Sequence, residues 1–94
     1  MKIKNIVQVN VIIMTSMIEK NWQYMEGTYA GNRMVGMIHA TEYKTVENAI
    51  AVKQALIDNF ESQFGFSRDD EEPDSNYAYN LGILDALKLH TDGV

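Results

Sequence analysis

Residues 22–41 read WQYMEGTYAGNRMVGMIHAT, and the dipeptide Gly31-Asn32 lies at the middle of this stretch. Glycine and asparagine adopt positive φ more readily than other residues, so the pair is typical of the two-residue turn of a β-hairpin. The turn predicts two antiparallel strands, over 22–30 and 33–41.

The register of this hairpin follows from its turn. Met25 is expected opposite Ile38 on the core face, because residues at equal distances from the turn pair across the two strands. Gly27 and Gly36 would lie opposite each other on the same face and leave a slot between neighbouring side chains. Phe60 is the side chain that we expect to fill it.

The residues before the hairpin extend the predicted sheet by one strand. Between residues 3 and 17 the odd positions are mostly apolar, which is typical of a strand with one buried face. Glu19-Lys20-Asn21 has the length of a hairpin loop and joins this strand to residue 22. Residues 3–9 would then extend beyond the hairpin with unpaired backbone, so pairing with a second copy and a homo-oligomer are expected.

Beyond residue 43 the apolar period changes to that of a helix. It predicts a helix over 45–63, with Thr45 as its N-cap and Gly65 as its end. A charged linker over 66–74 precedes a second helix over 75–90. The predicted fold class is therefore α+β, a three-stranded antiparallel meander followed by two helices (βββαα).

Length and composition indicate one domain of ordinary globular type. The chain has 94 residues, of which 46% are hydrophobic, and no cysteine. One shared core fits this length. The absence of cysteine favours the cytoplasm, where thiols stay reduced, and no apolar run reaches the length of a membrane span.

The charge is unevenly distributed along the chain. The net charge is −5, and residues 45–94 alone carry ten acidic and three basic side chains. Direct binding of nucleic acid is not expected, because the basic residues are few and scattered. The acidic cluster of the linker lacks the residue spacing of a calcium-binding loop, so a calcium site is not expected. We expect its negative charge to attract a basic protein instead. Its members are Asp69, Asp70, Glu71, Glu72 and Asp74.

The two histidines, His39 and His90, are too few for a histidine-rich metal site. In the predicted sheet His39 lies across from Tyr24 and near Glu26, a group that could transfer protons to a docked substrate. The simpler interpretation is a cross-strand pair at the surface. We therefore predict neither an enzyme nor a bound metal or cofactor.

The second face of the predicted sheet is unusually apolar and aromatic. It includes Trp22, Tyr24, Met37 and His39, and such patches often mark interfaces. Two interpretations remain open. Either the second helix covers this face within one chain, or the face binds a second copy or another protein.

Residues 76–88, NYAYNLGILDALK, resemble the terminal helix of small uncharacterised proteins of phages and mobile elements of Gram-positive bacteria. The predicted βββαα order with an acidic second half is similar to some small acidic anti-CRISPR proteins, which imitate the charge of DNA and occupy the nucleic-acid site of a Cas nuclease. The resemblance implies a phage-encoded protein in the host cytoplasm.

We therefore expect a small acidic inhibitor or regulator that occupies a basic site on a target protein. The alternative is an oligomeric binder or sponge of a small ligand such as a nucleotide. Lys20, Arg33 and Lys44 would supply the positive charge for that second function.

Overall fold

The computed structural model describes residues 17–92, and helices account for most of them. We number the three α-helices in chain order, as α1 Trp22–Gly36, α2 Val46–Phe64 and α3 Ser75–Asp92. Short 3₁₀ turns occur at Met17–Lys20 and Ile38–Ala40. No residue between 17 and 92 lies in a strand, so the α+β prediction is wrong. The strand predicted from residue 3 falls almost entirely outside the described residues.

Helix α1 occupies the stretch in which the hairpin was predicted. It begins after Asn21, whose Oδ1 accepts hydrogen bonds from the backbone N–H groups of Gln23 and Tyr24 at 2.8 and 3.1 Å. Asparagine is among the best N-cap residues because its side chain satisfies N–H groups that lack a partner in the first turn. Asn21 is therefore a helix cap and not part of a hairpin loop.

The glycines of α1 allow two helix backbones to touch. A β-carbon added at Gly27 would overlap the carbonyl oxygen of Tyr79 in α3, and one added at Gly31 would lie 2.8 Å from the β-carbon of Ala86. Gly82 of α3 faces α1 in the same way. The slot beside Gly27 is therefore filled by backbone rather than by Phe60, and Gly31-Asn32 lies inside a helix rather than at a turn.

Helix α3 is the central element, and the other two helices pack against it. Gly27 lies next to Tyr79 and Gly31 next to Ile83, so α1 and α3 run parallel. Helix α2 runs antiparallel to α3, because Glu61 near its end bonds the early α3 residue Tyr77. The fully buried side chains of α3 include Tyr77, Leu81, Leu84 and Leu87.

Helix α2 lies within one residue of the helix predicted over 45–63. Thr45 Oγ1 accepts a hydrogen bond from the Asn48 N–H at 3.1 Å and caps the first turn. At the other end Gly65 takes a left-handed conformation, with φ of 72°. Glycine is preferred there because it has no β-carbon to strain.

Residues predicted to share the core face of the sheet are separated in the structure. Ile38 is 8% exposed and packs with Ala49, Ile83 and Leu87, whereas Met25 is 43% exposed on the outside of α1. Within residues 17–92 no helix combines the length and the apolar character that crossing a membrane requires.

Candidate protein-binding surface

The linker between α2 and α3 contains a short hydrogen-bonded turn. The Asp70 carboxylate accepts a hydrogen bond from the Ser67 N–H at 3.0 Å, and the Asp70 N–H donates to the Ser67 carbonyl at 3.1 Å. Asp70 is therefore used to hold the loop, and it is half-buried. Its neighbours Asp69, Glu71 and Glu72 are exposed.

The last acidic residue of the linker, Asp74, is the N-cap of α3. Its Oδ2 accepts from the Tyr77 N–H at 3.1 Å, and its carbonyl accepts from the Ala78 N–H at 2.9 Å. A carboxylate at this position also interacts favourably with the positive end of the helix dipole. Asp74 therefore has a structural role, which leaves Asp69, Glu71 and Glu72 as the available acids of the linker.

Arg68 ties the linker to α3. Its guanidinium forms two hydrogen bonds to the Asp85 carboxylate, at 2.7 and 2.9 Å, and its carbonyl accepts from the Ile18 N–H at 2.9 Å. The side chains of Arg68 and Asp85 are 39% and 21% exposed, so the pair is only partly screened by water. The hydrogen bonds to Asp85 raise the pKa of Arg68 further above its usual value, which keeps the guanidinium charged.

Tyr24 completes this network from α1. Its hydroxyl donates to Asp85 Oδ2 at 2.6 Å. Burial, the hydrogen bond and the negative charge of Asp85 raise the pKa of Tyr24 above its usual value. The Tyr24 phenol stays protonated near neutral pH and therefore cannot act as a base there. The hydrogen bonds of Tyr24, Arg68 and Asp85 join α1, the linker and α3.

The engagement of Arg68 decides the electrostatics of the linker. Arg68 is the only basic residue between Lys53 and Lys88, a segment that contains eight acidic residues. Because both oxygens of Asp85 already bind its guanidinium, this cation is not available to neutralise Asp69, Glu71 and Glu72. These acids therefore present negative charge to the solvent.

An exposed aromatic ring lies at the end of α2, five residues before Asp69 in the chain. Phe64, the last residue of α2, is 62% exposed, and its ring stacks on Phe66 with 5.3 Å between ring centroids. Phe66 in turn packs on the buried Tyr77, whose hydroxyl donates to Glu61 Oε2 at 2.8 Å. We call the surface formed by these exposed side chains the acidic end. It comprises Glu61, Phe64, Asp69, Glu71 and Glu72.

The four residues predicted on a sheet face do not form one surface. Trp22 and Met37 are exposed near opposite ends of α1, about 22 Å apart for 15 residues of helix. Tyr24 faces inward to Asp85. His39 is exposed in the 3₁₀ turn after α1, so the predicted group of Tyr24, Glu26 and His39 is not assembled.

Two shallow clefts border α1, and neither is built for an anion such as a nucleotide phosphate. The lining of the first contains no basic side chain and consists of Trp22, Gln23, Glu26, Ser75, Asn76 and Tyr79. The second combines one cation with two acids and is lined by Glu19, Tyr24, Asp85, Lys88 and Leu89. Lys20, Arg33 and Lys44 line neither cleft. Among the described residues, no three histidine or acidic side chains converge to hold a metal ion.

Sequence reasoning missed the Arg68–Asp85 pair and the exposure of Phe64. The sequence contains a signal that Asp85 has a partner, because Asp85 interrupts the apolar run LGILDAL, but it does not distinguish Arg68 from Lys88, which is only three residues away. A charged residue on a buried helix usually has a partner. Comparison of the chain with protein-family models, with curated proteins and with solved structures finds no match.

Proposed function

We propose that this protein binds a basic surface of another protein through its acidic end and acts as a small inhibitor or regulator. The observation that carries the proposal is the engagement of Arg68 by Asp85, which leaves Asp69, Glu71 and Glu72 without a cation from their own segment. Uncompensated charge of one sign attracts an oppositely charged partner and speeds its association.

Phe64 gives the acidic end an apolar side chain that a partner can bury. Interfaces combine a polar rim with a few aromatic side chains that become buried and carry much of the binding energy. Phe64 is exposed, lies between Glu61 and the linker acids in the sequence, and stacks on Phe66. The acidic end therefore has both an aromatic anchor and a charged rim.

The resemblance to anti-CRISPR proteins rested on a βββαα order that the structure does not have. The negative surface is the part of that resemblance that still supports the proposal. A target whose basic site binds nucleic acid fits this surface best, because phosphate-binding sites are rich in Lys and Arg. The nucleotide-binding alternative receives less support, since the cleft between Trp22 and Tyr79 contains no basic side chain.

The proposal is tested with a variant that neutralises the available acids, D69N/E71Q/E72Q. Proteins retained from bacterial lysate by the wild-type chain are identified, and their association is then measured by surface plasmon resonance at several salt concentrations. We expect the variant to associate about tenfold more slowly at low salt and with a weaker salt dependence. Asp70 and Asp74 stay unchanged because they hold the loop and cap α3.

The matched control is E19Q/E42Q/E47Q, which removes three other exposed acids and changes the net charge equally. The control should retain most of the wild-type association rate, and Phe64→Ala should mainly speed dissociation. The wild-type chain should also compete with nucleic acid for the captured protein. Equal rates for the two triple variants would reject the acidic end as the binding surface.

A further inference from the structure

The side of α1 that faces away from α3 is aromatic and exposed. Trp22 is 64% exposed, Met25 43% and Tyr29 57%, and these residues follow the spacing of one helical face. Arg33 lies on the same side by the same periodicity, and Glu26 lies at its edge, where Trp22 and Glu26 also line the cleft beside the start of α3. We call these five residues the outward face of α1. No described residue between 17 and 92 packs over its aromatic rings to bury them.

The composition of the outward face matches that of protein interfaces. Trp, Tyr, Met and Arg are the residue types most enriched where two proteins meet. The face is also electrically neutral, because Glu26 and Arg33 are the only charged residues of α1. In a protein with a net charge of −5, this is a place where two copies can approach with little repulsion.

The order of residues along the face makes it complementary to itself. If two copies of α1 cross antiparallel about a two-fold axis between Tyr29 and Ala30, Glu26 of each copy meets Arg33 of the other. The same axis places Trp22 opposite Met37, which is 56% exposed just beyond the helix. A parallel arrangement would instead place Glu26 against Glu26 and Arg33 against Arg33.

We infer that the outward face of α1 is a homodimer interface in which two α1 helices pack antiparallel. The two ion pairs set the register, Tyr29 lies at the axis, and Trp22 is covered at each end. Antiparallel helices also place opposite dipole ends side by side. One helix pair about 22 Å long is a small interface, so we expect a dissociation constant on the order of micromolar.

The first test is sedimentation equilibrium of the full chain across a wide concentration range. The mass should rise from 10.7 kDa to twice that value as concentration increases. Trp22 is the only tryptophan, so its fluorescence maximum should shift to shorter wavelength over the same range. A mass of one chain at every concentration would overturn the inference, including the case in which residues 1–16 of the same chain cover this face.

The second test exchanges the charges. E26R and R33E each place like charges opposite one another in the antiparallel dimer and should raise the dissociation constant about tenfold. The double variant E26R/R33E restores opposite charges and should return the dissociation constant close to that of wild type. Failure of the double variant to restore binding would overturn the antiparallel register.

A third variant separates this interface from any other. Tyr29→Ser removes the ring at the axis and should abolish the dimer, whereas Val52→Ser, at a side chain 51% exposed on α2, is the matched control and should leave it intact. Both positions are exposed, so circular dichroism should show an unchanged fold. A dimer that persists in Tyr29→Ser would show that the copies associate elsewhere.

Discussion

At the scale of single residues, Asp85 connects three parts of the fold. Its carboxylate accepts two hydrogen bonds from Arg68 and one from Tyr24, so one α3 residue holds both the linker and α1. The bidentate geometry is specific to arginine, because a lysine would offer a single charged group. The linker acids therefore owe both their position and their uncompensated charge to the same contact.

The phenol of Tyr24 gives this network a measurable pH dependence. Because burial and Asp85 raise the pKa of Tyr24 in the folded state, the unfolded chain loses this proton first as the pH rises above about 10. The stabilisation should be complete below that pH and decline above it. Burial and the hydrogen bond to Glu61 also raise the pKa of Tyr77, so Tyr77 should add to the same loss of stability at high pH.

We expect the thermal midpoint of the wild-type chain to decrease as the pH rises from about 9.5 to about 11, because the usual pKa of tyrosine is about 10. In Tyr24→Phe the thermal midpoint should decrease less with pH, because residue 24 then has no phenol proton to lose. At neutral pH its midpoint should be lower than that of wild type, because the hydrogen bond to Asp85 is absent. Tyr79→Phe, at a side chain of α3 that is 38% exposed, is the control. Parallel pH profiles for wild type and Tyr24→Phe would contradict this account.

At the scale of elements, the contact between α1 and α3 depends on missing side chains. Small residues recur every four positions on the facing sides, with Gly27 and Gly31 on α1 and Ala78, Gly82 and Ala86 on α3. Small residues at such positions let two helix backbones approach closely and gain many weak contacts. This face therefore holds the helices together through backbone proximity more than through large side chains.

Replacing a glycine in this contact should be costly. Gly27→Ala would force the two backbones apart, because its β-carbon overlaps the Tyr79 carbonyl oxygen, and we expect a loss of about 1–3 kcal/mol of unfolding free energy. Gly36→Ala is the matched control in the same helix, since nothing lies within 4 Å of its added β-carbon.

The control should be neutral or stabilising by about 0.5–1 kcal/mol, because alanine favours helix more than glycine does. Urea unfolding measures both values. Equal stability of Gly27→Ala and Gly36→Ala would show that the backbones are not in close contact.

The same glycines explain why the sequence predicted α2 and α3 but not α1. In α2 and α3 large apolar side chains mark the buried face, and Thr45, Gly65 and Asp74 mark the ends. In α1 the buried positions hold Gly27 and Gly31, and a hydrophobic pattern does not register a face made of glycine. Gly31-Asn32 therefore resembles a turn in the sequence. In the structure Gly31 lets the backbone of α1 approach α3, and Asn32 Oδ1 lies 3.0 Å from His90 Nε2.

At the scale of the whole molecule, acidity dominates. Residues 17–92 contain all thirteen acidic side chains of the chain but only six of its eight basic ones. The exposed linker acids were identifiable from sequence as a charged cluster, because solvated charge needs no tertiary contact to be recognised. The cap position of Asp74 was also identifiable, because Asp74 or Ser75 precedes the helical pattern of α3. The roles of Asp70 and Arg68 were not, because each depends on a partner that the fold supplies.

An excess of one charge opposes folding through repulsion, and added salt screens it. We therefore expect the thermal midpoint to rise by a few degrees as sodium chloride increases from low to moderate concentration. D69N/E71Q/E72Q should show a smaller rise, because less repulsion remains to be screened. Thermal melts followed by circular dichroism measure both, and a midpoint that falls with salt would contradict this prediction.

The central position of α3 has a consequence for synthesis. Both α1 and α2 pack chiefly on α3, which follows them in the chain. While a ribosome is still making residues 75–92, the two earlier helices lack the surface that buries them, and the glycine face of α1 offers little to bury alone. We therefore expect α1 and α2 to stay unpacked until α3 emerges, so that the core they share forms in a single late step rather than growing from α1 onward.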